Sequence, residues 1–196
     1  LESIIIPKSV CLIGNYAFHK CEKLKYVIFL NEPSVINIGN NAFSFCNNLM
    51  SIIIPKSVYF IGNYAFHKCE ELEFVNFSNE PSVINIGNNA FSFCNNLESI
   101  IIHNSVKLIE DHAFHSCEEL KSVIFINESS LTNIGNNAFS FCNNLESIII
   151  PNSVKLIEDH AFHNCEELKS VIFINESSLT NIGNNAFSFC NNLESI

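Results

Sequence analysis

The sequence predicts a right-handed, mainly β solenoid of eight stacked coils, and three observations lead there. The tetrapeptide Cys-x-x-Leu returns at Cys21/Leu24, Cys46/Leu49, Cys69/Leu72, Cys94/Leu97, Cys117/Leu120, Cys142/Leu145, Cys165/Leu168 and Cys190/Leu193. The spacing of these cysteines alternates 25, 23, 25, 23, 25, 23, 25, so a short and a long coil together form a 48-residue unit. The units are near copies: residues 97–144 and 145–192 differ only at His103/Pro151 and Ser116/Asn164. Residues 1–48 and 49–96 differ at eight positions. A fixed period of this length marks coils that cannot bury their apolar face alone and do so by stacking.

One coil, Leu145 to Glu167, shows the elements in order. Ser147–Ile150 is rich in β-branched residues and reads as a short strand. Alternation places Ile148 and Ile150 on one face and Ile149 on the other. Pro151, which cannot donate to a ladder, ends the strand. A second extended stretch follows at Val154–Ile157. Then comes a tight turn, with Gly14, Gly39, Gly62, Gly87, Gly135 and Gly183 in six coils and Glu110 and Glu158 in the others. Because Glu stands there twice, the position does not demand a positive φ. Ala161-Phe162-x-x-Cys165 reads as one helical or 3₁₀ turn, whose free amides the preceding Asn or Asp caps. The inward residues of the first coil are then Leu1, Ile4, Ile6, Val10, Ile13, Ala17, Phe18 and Cys21. The long coils carry two extra residues after the strand, around Asn127-Glu128-Ser129, expected to bulge from one edge.

Composition agrees with a linear core. Apolar residues make up 47% of the chain, and its 18 Phe come without a Trp because the same positions are copied. Eight of nine cysteines occupy one position per coil, which suits buried free thiols that pack as small hydrophobes. Cys11 aligns with Tyr59, Lys107 and Lys155 and is expected at the surface. The net charge of −10 leaves no basic stripe for nucleic acid or an anionic membrane. No apolar run reaches the roughly 18 residues of a membrane span.

The repeat resembles the BspA-like (Treponema-type) leucine-rich repeat. The pattern stands here as Leu49-x-x-Ile52-x-Ile54-Pro55-x-Ser57-Val58-x-x-Ile61-Gly62-x-x-Ala65-Phe66-x-x-Cys69, and it recurs along the whole chain. The departures are His103 for Pro, Glu110 and Glu158 for Gly, and the insertion in alternate coils. The resemblance implies a leucine-rich-repeat solenoid with a parallel sheet on its concave face and extended segments and turns opposite. It further implies a cell-surface or secreted protein that acts in adhesion or protein binding rather than as an enzyme.

In-register parallel strands turn each outward position into a row. One row is Ile5, Ile28, Ile53, Asn76, Ile101, Ile124, Ile149 and Ile172, an apolar stripe expected on the concave face. Exposed contiguous apolar surface marks an interaction site, and this stripe is the candidate binding surface. Beside it, Glu98, Lys121, Glu146, Lys169 and Glu194 alternate in sign and read as a solvated ladder; Glu2, Lys25, Met50 and Glu73 break the alternation. His19, His67, His115 and His163 recur once per unit, joined by His112 and His160. The spacing of His112 and His115 implies no third ligand, so no metal and no cofactor is expected. The pairs Asn47-Asn48 and Asn143-Asn144 occur in alternate coils and read as turn residues. Glycosylation sequons start at Asn76, Asn127 and Asn175, with Asn127 and Asn175 on the long-coil bulge and Asn76 in a strand.

No phosphate loop, nucleophile elbow or unique His/Asp/Ser set occurs, so the chain reads as non-enzymatic. Residues 1–196 read as one uncapped solenoid, a segment of a longer array. Two functions follow. The favoured one is adhesion, with a host or matrix protein bound on the concave face. The alternative is a structural one, in which coils stack end to end into filaments or a coat.

Overall fold

The computed structural model describes residues 2–30, 34–78, 81–174 and 176–196. Among the described residues, sixteen strands alternate between four and two residues in length. The four-residue strands are β1 (Ser3–Ile6), β3 (Tyr26–Phe29), β5 (Ser51–Ile54), β7 (Phe74–Phe77), β9 (Ser99–Ile102), β11 (Ser122–Phe125), β13 (Ser147–Ile150) and β15 (Ser170–Phe173). Between them lie β2 (Leu12–Ile13), β4 (Asn37–Ile38), β6 (Phe60–Ile61), β8 (Asn85–Ile86), β10 (Leu108–Ile109), β12 (Asn133–Ile134), β14 (Leu156–Ile157) and β16 (Asn181–Ile182). Each set forms one eight-stranded sheet in coil order, and every pairing is parallel. Of the extended stretch foreseen at Val154–Ile157, only its last two residues join a ladder; Val154 is buried instead.

The core is a set of columns running through the coils. Leu49, Ile52, Ile54, Val58, Ile61, Ala65, Phe66 and Cys69, the inward set of the third coil, are all at most 1% exposed. The rings form a continuous stack: Phe18, Phe43, Phe66, Phe91, Phe114, Phe139, Phe162 and Phe187 follow one another at 5.1–5.3 Å, their planes nearly parallel. Alanine beside each ring keeps the coils close enough for that stack. The thiols run alongside and are free, seven of them buried and Cys11 exposed. Each buried S–H donates to a carbonyl of the preceding coil, Cys69 to Phe43 O at 3.2 Å and Cys117 to Phe91 O at 3.2 Å among them. Burial, with a contribution from Cys21, pushes the Cys46 thiol up to about 12; burial likewise takes Cys117 to about 12. Leu1 of the expected inward set lies outside the described residues.

The turn side departs from the helical or 3₁₀ expectation. Alternate amides close turns within the coil, as in Ala65 N–H to Gly62 O (3.2 Å) and His67 N–H to Tyr64 O (3.2 Å). The amides between them leave the coil: Tyr64 N–H to Asn88 O (2.8 Å), Phe66 N–H to Ala90 O (2.7 Å) and Lys68 N–H to Ser92 O (2.9 Å). A helix would keep all of them inside. Reversing every second amide requires left-handed residues, and two occur on the turn side of each coil, for example Tyr64 (φ 58°) and Lys68 (φ 56°). None of them is glycine. The left-handed conformation costs a non-glycine residue about 1–2 kcal/mol, and the hydrogen bonds gained across the coil boundary, about 1 kcal/mol each, offset it. From the second coil on, the glycines serve proximity instead. A Cβ on Gly87 would stand 2.8 Å from Ile61 O, so the preceding coil leaves no room for a side chain without a shift.

A candidate binding face and the ring column behind it

The outward face of the four-residue strands carries the predicted apolar row. Ile5, Ile28, Ile53, Ile101, Ile124, Ile149 and Ile172 are 41–58% exposed, and Asn76 is exposed among them. Register aligns them strand by strand, Ile5 with Ile28, Ile53 with Asn76, Ile101 with Ile124 and Ile149 with Ile172. The side chains are outward because their neighbours, such as Ile52 and Ile54, fill the core. Along one border the charged row forms ion pairs: Lys25 to Glu2 at 3.5 Å, Lys121 to Glu98 at 3.0 Å and Lys169 to Glu146 at 3.7 Å. These pairs are well exposed, so they contribute little to stability.

Pairing within this sheet has a period of two coils. β1 and β3 pair along their whole length, as do β5 with β7, β9 with β11, and β13 with β15. Between those units the ladder shortens to Tyr26↔Ser51, to Phe74↔Ser99 with Val75↔Ile100, and to Ser122↔Ser147. The break lies where each long coil carries its two extra residues. The short-stranded sheet has no such interruption.

Two columns on the turn side were not anticipated. The first is made of Asn15, Asn40, Asn63, Asn88, Asp111, Asn136, Asp159 and Asn184. The side-chain Oδ1 of Asn15, Asn40, Asn63, Asp111 and Asp159 accepts the backbone N–H of its counterpart one coil on, at 2.7–3.0 Å. These residues therefore cap the neighbouring coil, where capping of their own turn was expected. The signal was present: Asn or Asp follows the Gly or Glu in all eight coils. Glu110 and Glu158 belong to the same arrangement. Glu110 accepts from Asn85 (3.4 Å) and Asn88 (2.7 Å), and Glu158 from Asn133 (3.4 Å) and Asn136 (2.8 Å). The shallow cavity of about 190 Å³ between the two glutamates is thus walled by groups that already satisfy one another.

The second column alternates His and Phe. His19, Phe45, His67, Phe93, His115, Phe141, His163 and Phe189 meet edge to face at 5.2–5.6 Å. Each histidine Nδ1 lies 2.6–2.7 Å from a serine Oγ of the next coil, Ser44, Ser92, Ser140 or Ser188. Each of those hydroxyls already donates its one hydrogen to a backbone carbonyl, as Ser92 does to Asn89 O at 3.0 Å. With the hydroxyl hydrogen on that carbonyl, the hydroxyl oxygen accepts from Nδ1–H, the pairing that satisfies all three groups at once. Burial, then Lys68 and His115, hold His67 down to about 4; burial, then His112, hold His115 down to about 4. His112 and His115 stack edge to face at 5.4 Å. Among the described residues, no group of three or more His, Cys, Asp or Glu is placed to hold a metal ion.

Of the sequon asparagines, Asn127 is exposed in the loop after β11 and Asn76 is exposed within β7. Asn175 lies outside the described residues. No helix among the described residues is long and apolar enough to cross a membrane.

Comparison with known proteins places this geometry. The structure is similar to that of the pneumococcal vaccine antigen PcpA, with 27% identity and a TM-score of 0.74 over 96% of this chain and 48% of that one. It is similar to a leucine-rich repeat protein of Treponema pallidum, TpLRR, with 26% identity and a TM-score of 0.67 over 98% of this chain and 78% of that one. A leucine-rich repeat protein of Bacteroides ovatus aligns with 28% identity and a TM-score of 0.56, over 97% of this chain and 65% of that one. The chain thus spans about half the length of the pneumococcal structure. No curated protein matches it. The profile of the BspA type leucine-rich repeat region matches in six copies over residues 1–121 and 84–196. With matches that together cover the whole chain, the protein belongs to the BspA-type leucine-rich-repeat family.

Proposed function

We propose that this chain is a protein-binding module of a cell-surface or secreted repeat protein, acting in adhesion, with the outward face of the four-residue strands as its contact surface. The observation that carries the reading is the isoleucine row, about half exposed on every coil but one. A row of this kind costs solubility, and soluble chains rarely keep contiguous apolar surface without a use for it. The strands beneath are rigidly anchored in the core, so a partner meets a preformed surface and loses little in ordering it. The similar structures include a vaccine antigen, which supports a surface-exposed setting. The net charge of −10 argues against nucleic acid as the partner.

The test uses a displayed random peptide library selected against the intact protein, with isoleucine-methyl NMR to locate the binders. Shifts confined to the outward isoleucine row, Ile28, Ile53 and Ile101 among them, are expected, together with loss of binding in Ile53→Glu. Binders that move only groups near His115 or Tyr64 would overturn the reading.

A further inference from the structure

We infer that the face carries a specificity patch on its second to fourth coils, fitted to a protein partner that presents a basic side chain next to an apolar one. This rests on the protein-binding reading above and narrows it.

The argument starts from the charged row. Register sets Glu2, Lys25, Met50, Glu73, Glu98, Lys121, Glu146 and Lys169 side by side on successive strands. In the copied half each lysine has a glutamate partner, Lys121 with Glu98 and Lys169 with Glu146. In the first half two exchanges undo this. Met50 stands where Glu2 does, and Glu73 stands where Lys25 does. Glu73 is left with Met50 on one side and Glu98 on the other, and among the described residues no cation is paired with it. Like charges on neighbouring strands oppose the pairing. A cation supplied from outside removes that opposition.

The side chains around Glu73 complete the site. Tyr26, Met50 and Phe74 are 44%, 38% and 47% exposed, and the Tyr26 hydroxyl reaches Met50 Sδ at 3.5 Å. In the second half the positions of Tyr26 and Phe74 are held by Ser122 and Ser170. Aromatic residues and methionine are the types enriched where protein partners dock. An aromatic face beside a carboxylate suits a guanidinium or ammonium group, which stacks on the ring and pairs with the acid. The chain uses the same chemistry internally, where Lys68 lies 5.5 Å from the Phe45 ring and 5.6 Å from the Phe93 ring. Ile28 and Ile53, 46% and 58% exposed, offer the apolar neighbour its contact. Asn76 interrupts the isoleucine row here with a carboxamide that can bond a partner's backbone. The protein's negative charge steers a basic partner toward it.

The test takes peptides recovered on the intact protein and resynthesises each with its arginine replaced by citrulline, the neutral isostere. Binding is measured on the wild type, on Glu73→Gln, and on Glu146→Gln as the control in the copied half. The expected result is enrichment of basic residues beside apolar ones. Glu73→Gln and citrulline should each weaken binding roughly tenfold, with Glu146→Gln unchanged. Peptides that shift the isoleucine methyls yet ignore both changes would overturn this inference and leave the binding face standing. Peptides that never shift those methyls would remove the binding face itself.

Discussion

Across every coil boundary the turn side places three backbone hydrogen bonds, such as those from Tyr64, Phe66 and Lys68, whereas the four-residue strands pair fully only at every second boundary. The two sides also differ in what they tolerate. Asn15–Glu22 and Asn63–Glu70 are identical on the turn side. The eight differences between residues 1–48 and 49–96 include Glu2/Met50, Lys25/Glu73, Tyr26/Phe74, Ile28/Asn76 and Leu30/Ser78, all within or bordering the long-stranded sheet. Between these two units, five of the eight differences fall on the long-stranded side, while the turn side makes the regular bonds between coils. A change to an outward side chain on the sheet removes no backbone hydrogen bond between coils, and the turn side keeps the stack in register. That separation lets one scaffold carry a variable contact surface.

The comparison can be broken first in the ring stack. Phe114 is fully buried between Phe91 and Phe139 at 5.3 and 5.1 Å. Phe114→Ala should cost about 3–5 kcal/mol in denaturant unfolding. The exposed Ile124→Ser should stay within about 0.5 kcal/mol. Equal losses at the two sites would erase the distinction between the sides.

The next largest effect is pH dependence, which belongs to the turn side and the core. His67 and His115 are held near 4 in the folded chain, against about 6.5 when unfolded. Between those values the unfolded chain binds more protons. Stability should therefore be complete above about pH 6.5 and decline as pH falls toward 4, read as the melting temperature across a buffer series. His115→Phe should flatten that decline. Cys46 and Cys117, raised to about 12, act at the other end. Their thiols ionise first in the unfolded chain, so stability should fall as pH climbs from about 9 toward 12.

A smaller effect sharpens the account of the capping column. Asn63 Oδ1 accepts from Asn88 N–H at 3.0 Å. Asn63→Ala should cost about 1 kcal/mol, while Asn63→Asp, the residue type at Asp111 and Asp159, should keep the bond and most of the stability. The smallest effect is expected at the exposed Lys121–Glu98 pair. Lys121→Gln should leave the unfolding midpoint unmoved, and a clear shift would mean that the sheet face is coupled to the stack after all.

The repeating sequence carried the coil count, the strand at Ser147–Ile150 and the inward columns, since each rests on alternation and period alone. The isoleucine row was equally legible, because parallel register copies one outward position into eight. The Asn and His–Phe columns were not, although every residue in them was visible. Their partners stand 22–25 residues away, one coil on, and a local reading of an Asn or Asp before a turn points to the coil's own amides. The pairing of Lys121 with Glu98 and the break in the charged row at Met50 and Glu73 were legible from the repeat; the strand register adds which side chains flank Glu73.

The sequence by itself therefore determined the solenoid, its alternating coils and which side chains fill its core, because burial follows from periodicity. The tertiary structure alone decided that left-handed His, Tyr, Asn and Phe residues turn alternate amides toward the next coil. It also decided that serine hydroxyls of the next coil bond the histidine rings and that the long sheet pairs in units of two coils. Each of these depends on distances between stacked coils, and those distances exist only once the stack has formed.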